Sequence, residues 1–524
     1  MSEMVRIVGP PGAGKTTFLS RQIERAAEKY PADLVMVCSF TRAAVRELLS
    51  RDLPIPDNNV GTLHSLAYRS LDNPEICETA KHLKAFSEEH PKYAMGGGTR
   101  EDVDDGHVPN GNGGDGLLME YARLRAIMRP QDLWSSSVQR FAKIWEDYKE
   151  QTGTMDFTDL IEVALKDVER PQCYPVVGFF DEAQDFSRLE AALAKKWAAT
   201  MIKAVFVYDP AQAIYTFKGA DPNAIHDETA VFTTLQQSYR LPSSIKDAAE
   251  RLLGRMKMVR SYAPRAEGGE VVRSNFTIKD ANQIIDLAGS YTEQYQSVLV
   301  LTSCGYMLNP LLAEMKRQGI PFANPFRRRR RDWNPLHRIK KQCGAAERVE
   351  AYLTGFNRQP NAGWTVPELH RWLGLTKGVT RRKWEEAVAN VDDETVLSPG
   401  ALMEIMDEEN LEGAMYAGLP WLETRLNATW VKTAPYAIRV GAKDPVALVE
   451  EPLLETGTVH SVKGGEASVV ILCPDISPQG AQEMSTTEGR HSNIRQFYTG
   501  MTRARDTLIW LAPSSRLSFP WREM

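Results

Sequence analysis

The stretch "VRIVGPPGAGKTTFLSRQIERAA", residues 5–27, decides the fold class of this chain. A β-branched run (Val5, Ile7, Val8) enters Gly9, Pro10, Pro11, Gly12, Ala13, Gly14, Lys15, Thr16 and Thr17, and a polar helix bearing Phe18, Leu19, Ile23, Ala26 and Ala27 follows. Strand, glycine-rich loop and helix in that order read as a phosphate-binding loop. Backbone N–H groups cradle β- and γ-phosphates, Lys15 adds positive charge, and the Thr16 hydroxyl is a Mg²⁺ ligand. Gly9 through Thr17 are therefore expected to hold a nucleotide.

Working outward, strand-like runs recur with helical segments between them: "LVMVCSF" (34–40), "VVGFF" (176–180), "AVFVYD" (204–209), "SVLVLTS" (297–303), "SVVILC" (468–473) and "TLIWLA" (507–512). Such alternation predicts α/β architecture with parallel sheets and helices on both faces. The runs fall into two groups, one within 1–240 and one within 270–325 and 455–515, so two α/β domains are expected, each interrupted by a mostly helical insertion. Within the first insertion, "GGGTREDVDDGHVPNGNGGDG" (96–116) offers almost no apolar side chain to offset the entropy of ordering it, and is read as a disordered loop. No repeat of fixed period is present.

At 524 residues the chain has room for three or four folding units. Its 43% hydrophobic and 25% charged composition is that of a globular protein. No apolar run approaches the ~18 residues that a membrane span needs, and the first residues lead into a strand rather than a leader, so a cytoplasmic location is expected. The six cysteines are far apart with no C-x-x-C pair, which argues against a zinc or iron–sulfur site and for reduced thiols. A formal charge of −5 does not announce a nucleic-acid binder, although a local basic groove would be invisible in that total.

Hydrolysis of a nucleotide also requires an acid on the metal and a group that activates water. "VVGFFDEAQDFS" (176–187) offers both, since a buried strand ends in Asp181 and Glu182, where a carboxylate meets a metal bound at the loop. Asp181 is the expected metal ligand and Glu182 the expected base.

With "DEAQD" stand "VGTLHSLAYRSL" (60–71), "VYDPAQAIYTFKGAD" (207–221), "LQQSYRLPSSI" (235–245), "TVHSVKGGE" (458–466) and "YTGMTRARDTLIWL" (498–511). This ordered set, with "MDFTDLI" (155–161), resembles the motifs of UvrD/Rep (PcrA)-like superfamily 1 DNA helicases. The resemblance implies two RecA-like P-loop domains that clamp ATP and Mg²⁺. It places motor domain 1A at 1–70 with 151–245, accessory insertion 1B at 71–150, motor domain 2A at 246–330 with 452–524, and a reduced insertion 2B at 331–451. It also implies roles beyond the loop: Gln212 as γ-phosphate sensor, Arg240 and Arg503 as cations for the transition state, Tyr239 stacked on adenine and Glu466 on the ribose. Phe40, Thr41, Thr62, His64, Tyr215, Phe217, Lys218 and His460 would line a single-strand channel, where aromatic faces accept any base.

The implied activity is that of an ATP-dependent helicase moving 3′ to 5′ on single-stranded DNA, acting at single-strand/duplex junctions as a monomer, with replication or repair proteins as partners and no membrane. The rivals are a translocase that remodels protein–DNA or recombination intermediates with little unwinding, and a non-motor ATP-dependent switch. The chain departs from the family pattern in places. Phe217 and Lys218 stand where Trp and Arg are usual, and "KGGE" replaces Lys-Gly-Leu-Glu. No glutamine precedes the loop, and Thr17 occupies the place of an adenine-sandwiching arginine. "RRRRR" (327–331), after "GIPFANPF", reads either as a grip on duplex phosphate or as a solvated charge run.

Overall fold

Side-chain alternation along the first strands builds the core that positions the phosphate loop. In this computed structural model, residues 2–96, 113–226, 230–337, 343–358 and 362–520 are described. The first sheet is parallel and runs β3-β2-β4-β5-β1-β6, from β1 (Glu3–Val8), β2 (Val35–Ser39), β3 (Val60–Gly61), β4 (Val177–Asp181), β5 (Lys203–Tyr208) and β6 (Val231–Thr234). Because successive side chains point to opposite faces, Val5, Ile7, Val35, Val37, Val177, Phe179, Val205 and Val207 meet Leu19 and Ile23 of the helix Lys15–Lys29 on one face. Met36, Cys38, Phe180, Ala204 and Phe206 meet Leu66, Ile161, Leu193 and Trp197 of three other helices on the opposite face. Burial on both sides explains why these strands read as continuous apolar runs.

A second sheet runs β7-β11-β10-β8-β9, from β7 (Glu270–Arg273), β8 (Val298–Thr302), β9 (Leu454–Thr458), β10 (Ala467–Leu472) and β11 (Ala504–Trp510). Two sheets with flanking helices make this an α/β protein, as the alternation of runs predicts, and the sheets are RecA-like, as the resemblance implies.

The chain divides into two compact units, Met1–Ser274 with Leu301–Gly305 and Thr458–Met524, and Asn275–Val300 with Tyr306–Gly457. The first unit also contains a helical insertion. Its helices Ala80–Glu89, Gly114–Ala126 and Ser136–Thr152 close over an aromatic core of Phe86, Tyr121, Trp134, Phe141, Trp145 and Tyr148. The expected disordered loop 96–116 lies mostly outside the described residues. At its end it is corrected, because Gly114, Asp115 and Gly116 open the helix Gly114–Ala126. Gly114 and Gly116 are buried there and Leu117 follows at once into the aromatic core, so tertiary packing overrides their weak helix propensity.

A buried charge cluster ties this insertion to the segment that returns to the sheet. Asp156 caps the helix Phe157–Asp167 in a reciprocal box with Asp159. Arg125 from one insertion helix and Lys149 from another both bond to Asp156 and Asp159. Burial works against the Asp156 carboxylate, but the two cations outweigh it and hold its pKa below the ordinary range.

The second unit packs several of its helices around a tryptophan-rich core. Ring centroids of Trp364 and Trp372 lie 5.2 Å apart, and Tyr352 stacks on Trp364. Its apolar helix faces include Val349, Tyr352 and Leu353 of the helix Ala345–Phe356 and Ala437, Ile438 and Val440 of the helix Ala434–Lys443.

Candidate functional site

The nucleotide loop, the acidic strand end and the motifs near the C-terminus all lie in the first unit. β1 ends at Val8, level with Tyr208 of β5, so the loop leaves the sheet at its carboxyl edge. Gly12 and Gly14 both have φ of 70°. That left-handed conformation favours glycine, and at Gly12 a Cβ would lie 2.3 Å from Arg240 Cβ, so no larger residue fits. Gly14 opens the helix Lys15–Lys29 with no side-chain cap, which leaves N-terminal N–H groups facing the loop, the ordinary setting of an anion site. Lys15 Nζ donates to Gly9 O at 3.1 Å. Burial lowers the Lys15 pKa, and Asp209, Glu182 and Asp181 offset part of that shift. Pro10, Pro11 and Ala13 are buried, Thr16 is half-buried beside Lys15, and Thr17 is exposed.

β4 delivers Asp181, level with Ser39 of β2, and the chain then turns sharply at Glu182, whose φ is 53°. A non-glycine residue in that region is strained by ~1–3 kcal/mol, and such strain gathers at sites of function. Asp181 is buried and its Oδ1 has no hydrogen-bond partner. Burial and the Glu182 charge push its pKa up to about 7. An orphaned carboxylate oxygen of this kind suits a hard divalent cation, which takes oxygen donors. Glu182 accepts from Gln184 Nε2, and its Oε2 lies 3.6 Å from Lys463 Nζ. Burial raises its pKa, but Lys463 and Lys15 outweigh burial, so the carboxylate is held ionised below its ordinary value.

Gln212 is buried and gripped from two sides. Its Nε2 donates to Asp209 Oδ2 at 2.6 Å and its Oε1 accepts from Arg503 Nη2 at 2.7 Å. Arg503 is itself buried and donates to Thr499 O and Gly465 O, both at 3.0 Å. Burial, then Arg240, lowers the Arg503 pKa to about 9, still cationic at neutral pH. Arg240 donates to Glu466 Oε2 at 2.6 Å and to Thr502 O at 3.2 Å. Glu466 also meets Arg505, so the residue expected on a ribose is engaged by two arginines. Tyr239 is 68% exposed, with its N–H on Gly12 O at 2.7 Å and its ring beside Gly14.

Of the residues expected on a DNA strand, Phe40, Tyr215, Phe217 and His460 form a connected aromatic path, with Lys218 over it. Phe40 and Tyr215 have ring centroids 5.2 Å apart, Tyr215 and Phe217 6.1 Å, and Phe217 and His460 5.4 Å. Lys218 Nζ lies over both Tyr215 and Phe217. Tyr215 and His460 are buried, and His460 Nε2 bonds to Ile214 O, while Phe40, Phe217 and Lys218 are half-buried. Thr41 and Thr62 cap helices, accepting from Ala44 N and Ser65 N. His64 Nδ1 lies 3.6 Å from Glu190 Oε1.

Four further residues belong to this network. Lys463 donates to Asp185 Oδ2 and to Gln212 O, and lies 5.2 Å from the Tyr215 ring centroid. Arg260 binds Asp209 through both terminal nitrogens and stacks on Tyr498. Lys463, Asp185 and Asp209 sit inside the motifs quoted from the sequence, which is the signal that marks them. Arg260, in "KMVRSYAPR", carries no local signal.

Among the described residues no cluster of three or more His, Cys, Asp or Glu has the geometry to hold a metal ion, and no helix is long and apolar enough to cross a membrane. A family model described as an AAA domain matches residues 1–218. The chain is 23% identical over 325 residues to YjcD of Bacillus subtilis (strain 168), named as an ATP-dependent DNA helicase, covering 56% of this chain and 41% of that protein. It is 22% identical over 356 residues to a protein of Mycoplasma capricolum named as a DNA helicase II homolog, covering 61% and 49%. It is 20% identical over 374 residues to ATP-dependent DNA helicase srs2 of Schizosaccharomyces pombe, covering 60% and 42%. The chain thus spans less than half the length of each of these relatives.

Proposed function

We propose that this chain is an ATP-dependent motor of the UvrD/Rep-like superfamily 1 type that moves 3′ to 5′ on single-stranded DNA and opens duplex DNA. One observation carries the reading. Lys463 lies beside Glu182, donates to Asp185 and to Gln212 O, and sits over the ring of Tyr215, so one side chain touches both the carboxylate cluster and the aromatic path.

In this reading Gly12, Gly14 and Lys15 hold the phosphates of ATP, and Glu182 accepts the proton of the attacking water, since its pKa is held low enough for the base form. Mg²⁺, held by Thr16 and Asp181, would supply charge to phosphate oxygens. Gln212 reports on the terminal phosphate because its amide orientation is set by Asp209 and Arg503. Arg503 and Arg240 neutralise developing negative charge, as a rigid cationic fork suits. Phe40, Phe217 and Lys218 supply stacking and charge to the strand, giving binding without sequence preference.

The test measures ATP hydrolysis and strand separation together on 3′-tailed, 5′-tailed and blunt substrates. The reading expects hydrolysis stimulated by single strands and unwinding of the 3′-tailed substrate. ATP hydrolysis indifferent to single-stranded DNA would overturn the motor. Normal stimulation with streptavidin displacement but no unwinding would leave a translocase that remodels protein–DNA complexes.

A further inference from the structure

In the second unit, the five consecutive arginines Arg327–Arg331 are carried on a built turn. Arg327 N–H donates to Asn324 O at 3.1 Å, Arg330 N–H to Arg327 O at 2.9 Å and Trp333 N–H to Arg330 O at 3.1 Å, so the backbone winds through the run in successive tight turns. Two buried asparagines hold it from beneath. Asn334 Nδ2 donates to Arg327 O at 2.8 Å and Arg330 O at 3.1 Å, while its Oδ1 accepts from Asn324 N–H. Asn324 Nδ2 anchors in turn on Thr456 O. Trp333 is buried, with the Arg330 guanidinium 4.0 Å from its ring centroid.

This scaffold leaves Arg328, Arg329 and Arg331 exposed. Among the described residues, Arg328 meets Glu451 at 3.3 Å and Arg330 meets Asp332 at 3.3 Å. Burial, then the charges of Arg328 and Arg331, lowers the pKa of the nearby His337, and Glu451 offsets part of that shift. Like charges held close together on an ordered turn repel one another, and a bound polyanion relieves that repulsion.

We propose that the Arg327–Arg331 turn is a contact site for the sugar–phosphate backbone of duplex DNA, rigidly presented and blind to sequence. Guanidinium forks pair bidentately with phosphate oxygens, which suits this ligand chemistry. The turn favours duplex over single strand because its tryptophan is buried beneath Arg330 rather than offered to bases, whereas single-strand readers stack aromatics on bases. That the nucleic acid is DNA rests on the function proposed above.

The experiment compares the full chain with R328Q/R329Q/R331Q, measuring anisotropy with a blunt fluorescent DNA duplex and with oligo-dT between 50 and 200 mM salt, alongside oligo-dT-stimulated ATP hydrolysis. Each lost phosphate contact removes about 0.9 from the slope of log affinity against log salt. The variant should therefore lose about 2 to 3 from the duplex slope and at least about tenfold in duplex affinity at the low-salt end, with oligo-dT binding and hydrolysis within about twofold of wild type. R328K/R329K/R331K should recover most of the slope.

An unchanged duplex slope, or equal losses on duplex and oligo-dT, overturns the proposal. If the triple variant does not fold, single R329E, at an exposed position, carries the same expectation at smaller size. Absence of oligo-dT-stimulated hydrolysis in wild type would sink the motor reading but not this one, which is decided by the duplex slope alone.

Discussion

Arg503 Nη2 and Gln212 Oε1 are 2.7 Å apart, which links the C-terminal "GMTRAR" segment to the "DPAQ" turn at the end of β5. Lysine keeps the charge of Arg503 but cannot reach Thr499 O, Gly465 O and Gln212 Oε1 together. Arg503→Lys is expected to lower kcat for ATP by at least about a hundredfold while nucleotide affinity changes less than tenfold, given that losing such an arginine costs ~10³–10⁵. Steady-state hydrolysis with fluorescent-nucleotide titration checks it, and a near-normal kcat would remove Arg503 from the hydrolytic cluster.

Glu182→Gln should leave nucleotide and DNA binding largely intact and reduce turnover by ~10²–10⁴, because the amide keeps the shape but takes no proton. Lys15→Ala should weaken nucleotide binding as well. Single-turnover hydrolysis separates the two, and normal hydrolysis in the Gln variant would eliminate Glu182 as base.

Asp156 both caps a helix and compensates Arg125 and Lys149, so its loss leaves buried cations short of a partner. Asp156→Ala should destabilise the first unit by about 3–5 kcal/mol, and Asp156→Asn, which keeps an acceptor for the cap, by less. Thermal unfolding gives the order, and equal losses for the two would mean that the cap contributes nothing beyond the charge.

Glu455 has an unpartnered buried Oε2, and burial, then Glu451, raises its carboxyl from 4.5 to about 7. The folded state therefore binds the proton more tightly than the unfolded chain, and the resulting stabilisation, complete below about pH 4.5, is lost as pH rises through about 7. Glu455→Gln should accordingly gain thermal stability relative to wild type at pH 8 compared with pH 5, by up to about 3 kcal/mol at ~1.36 per pKa unit. An identical difference at both pH values would place Glu455 in contact with water.

Base selectivity should be weak. Tyr239 offers an exposed face beside Gly14, and stacking accepts every base. GTP and dATP are expected to give kcat/KM within about tenfold of ATP on saturating single strands, a difference of ~1.4 kcal/mol. A thousandfold preference for ATP would reveal an adenine reader elsewhere.

By itself the sequence determined the strand–loop–helix opening, the two parallel sheets and the buried strand that ends in Asp181. These features are written in short-range patterns: glycines at φ 70°, apolar runs buried on both faces, and acids placed at a strand's end. What only the tertiary structure decided is which groups are spent on one another. Arg260 on Asp209, Lys463 on Asp185, Arg240 on Glu466 and the buried Arg125–Asp156 pair join residues 31 to 278 positions apart. The start of the helix at Gly114 and the seating of the arginine run on Asn324 and Asn334 were likewise settled by burial. Side-chain pairing and desolvation depend on where folding brings distant backbone together, and no local spacing in the chain encodes that.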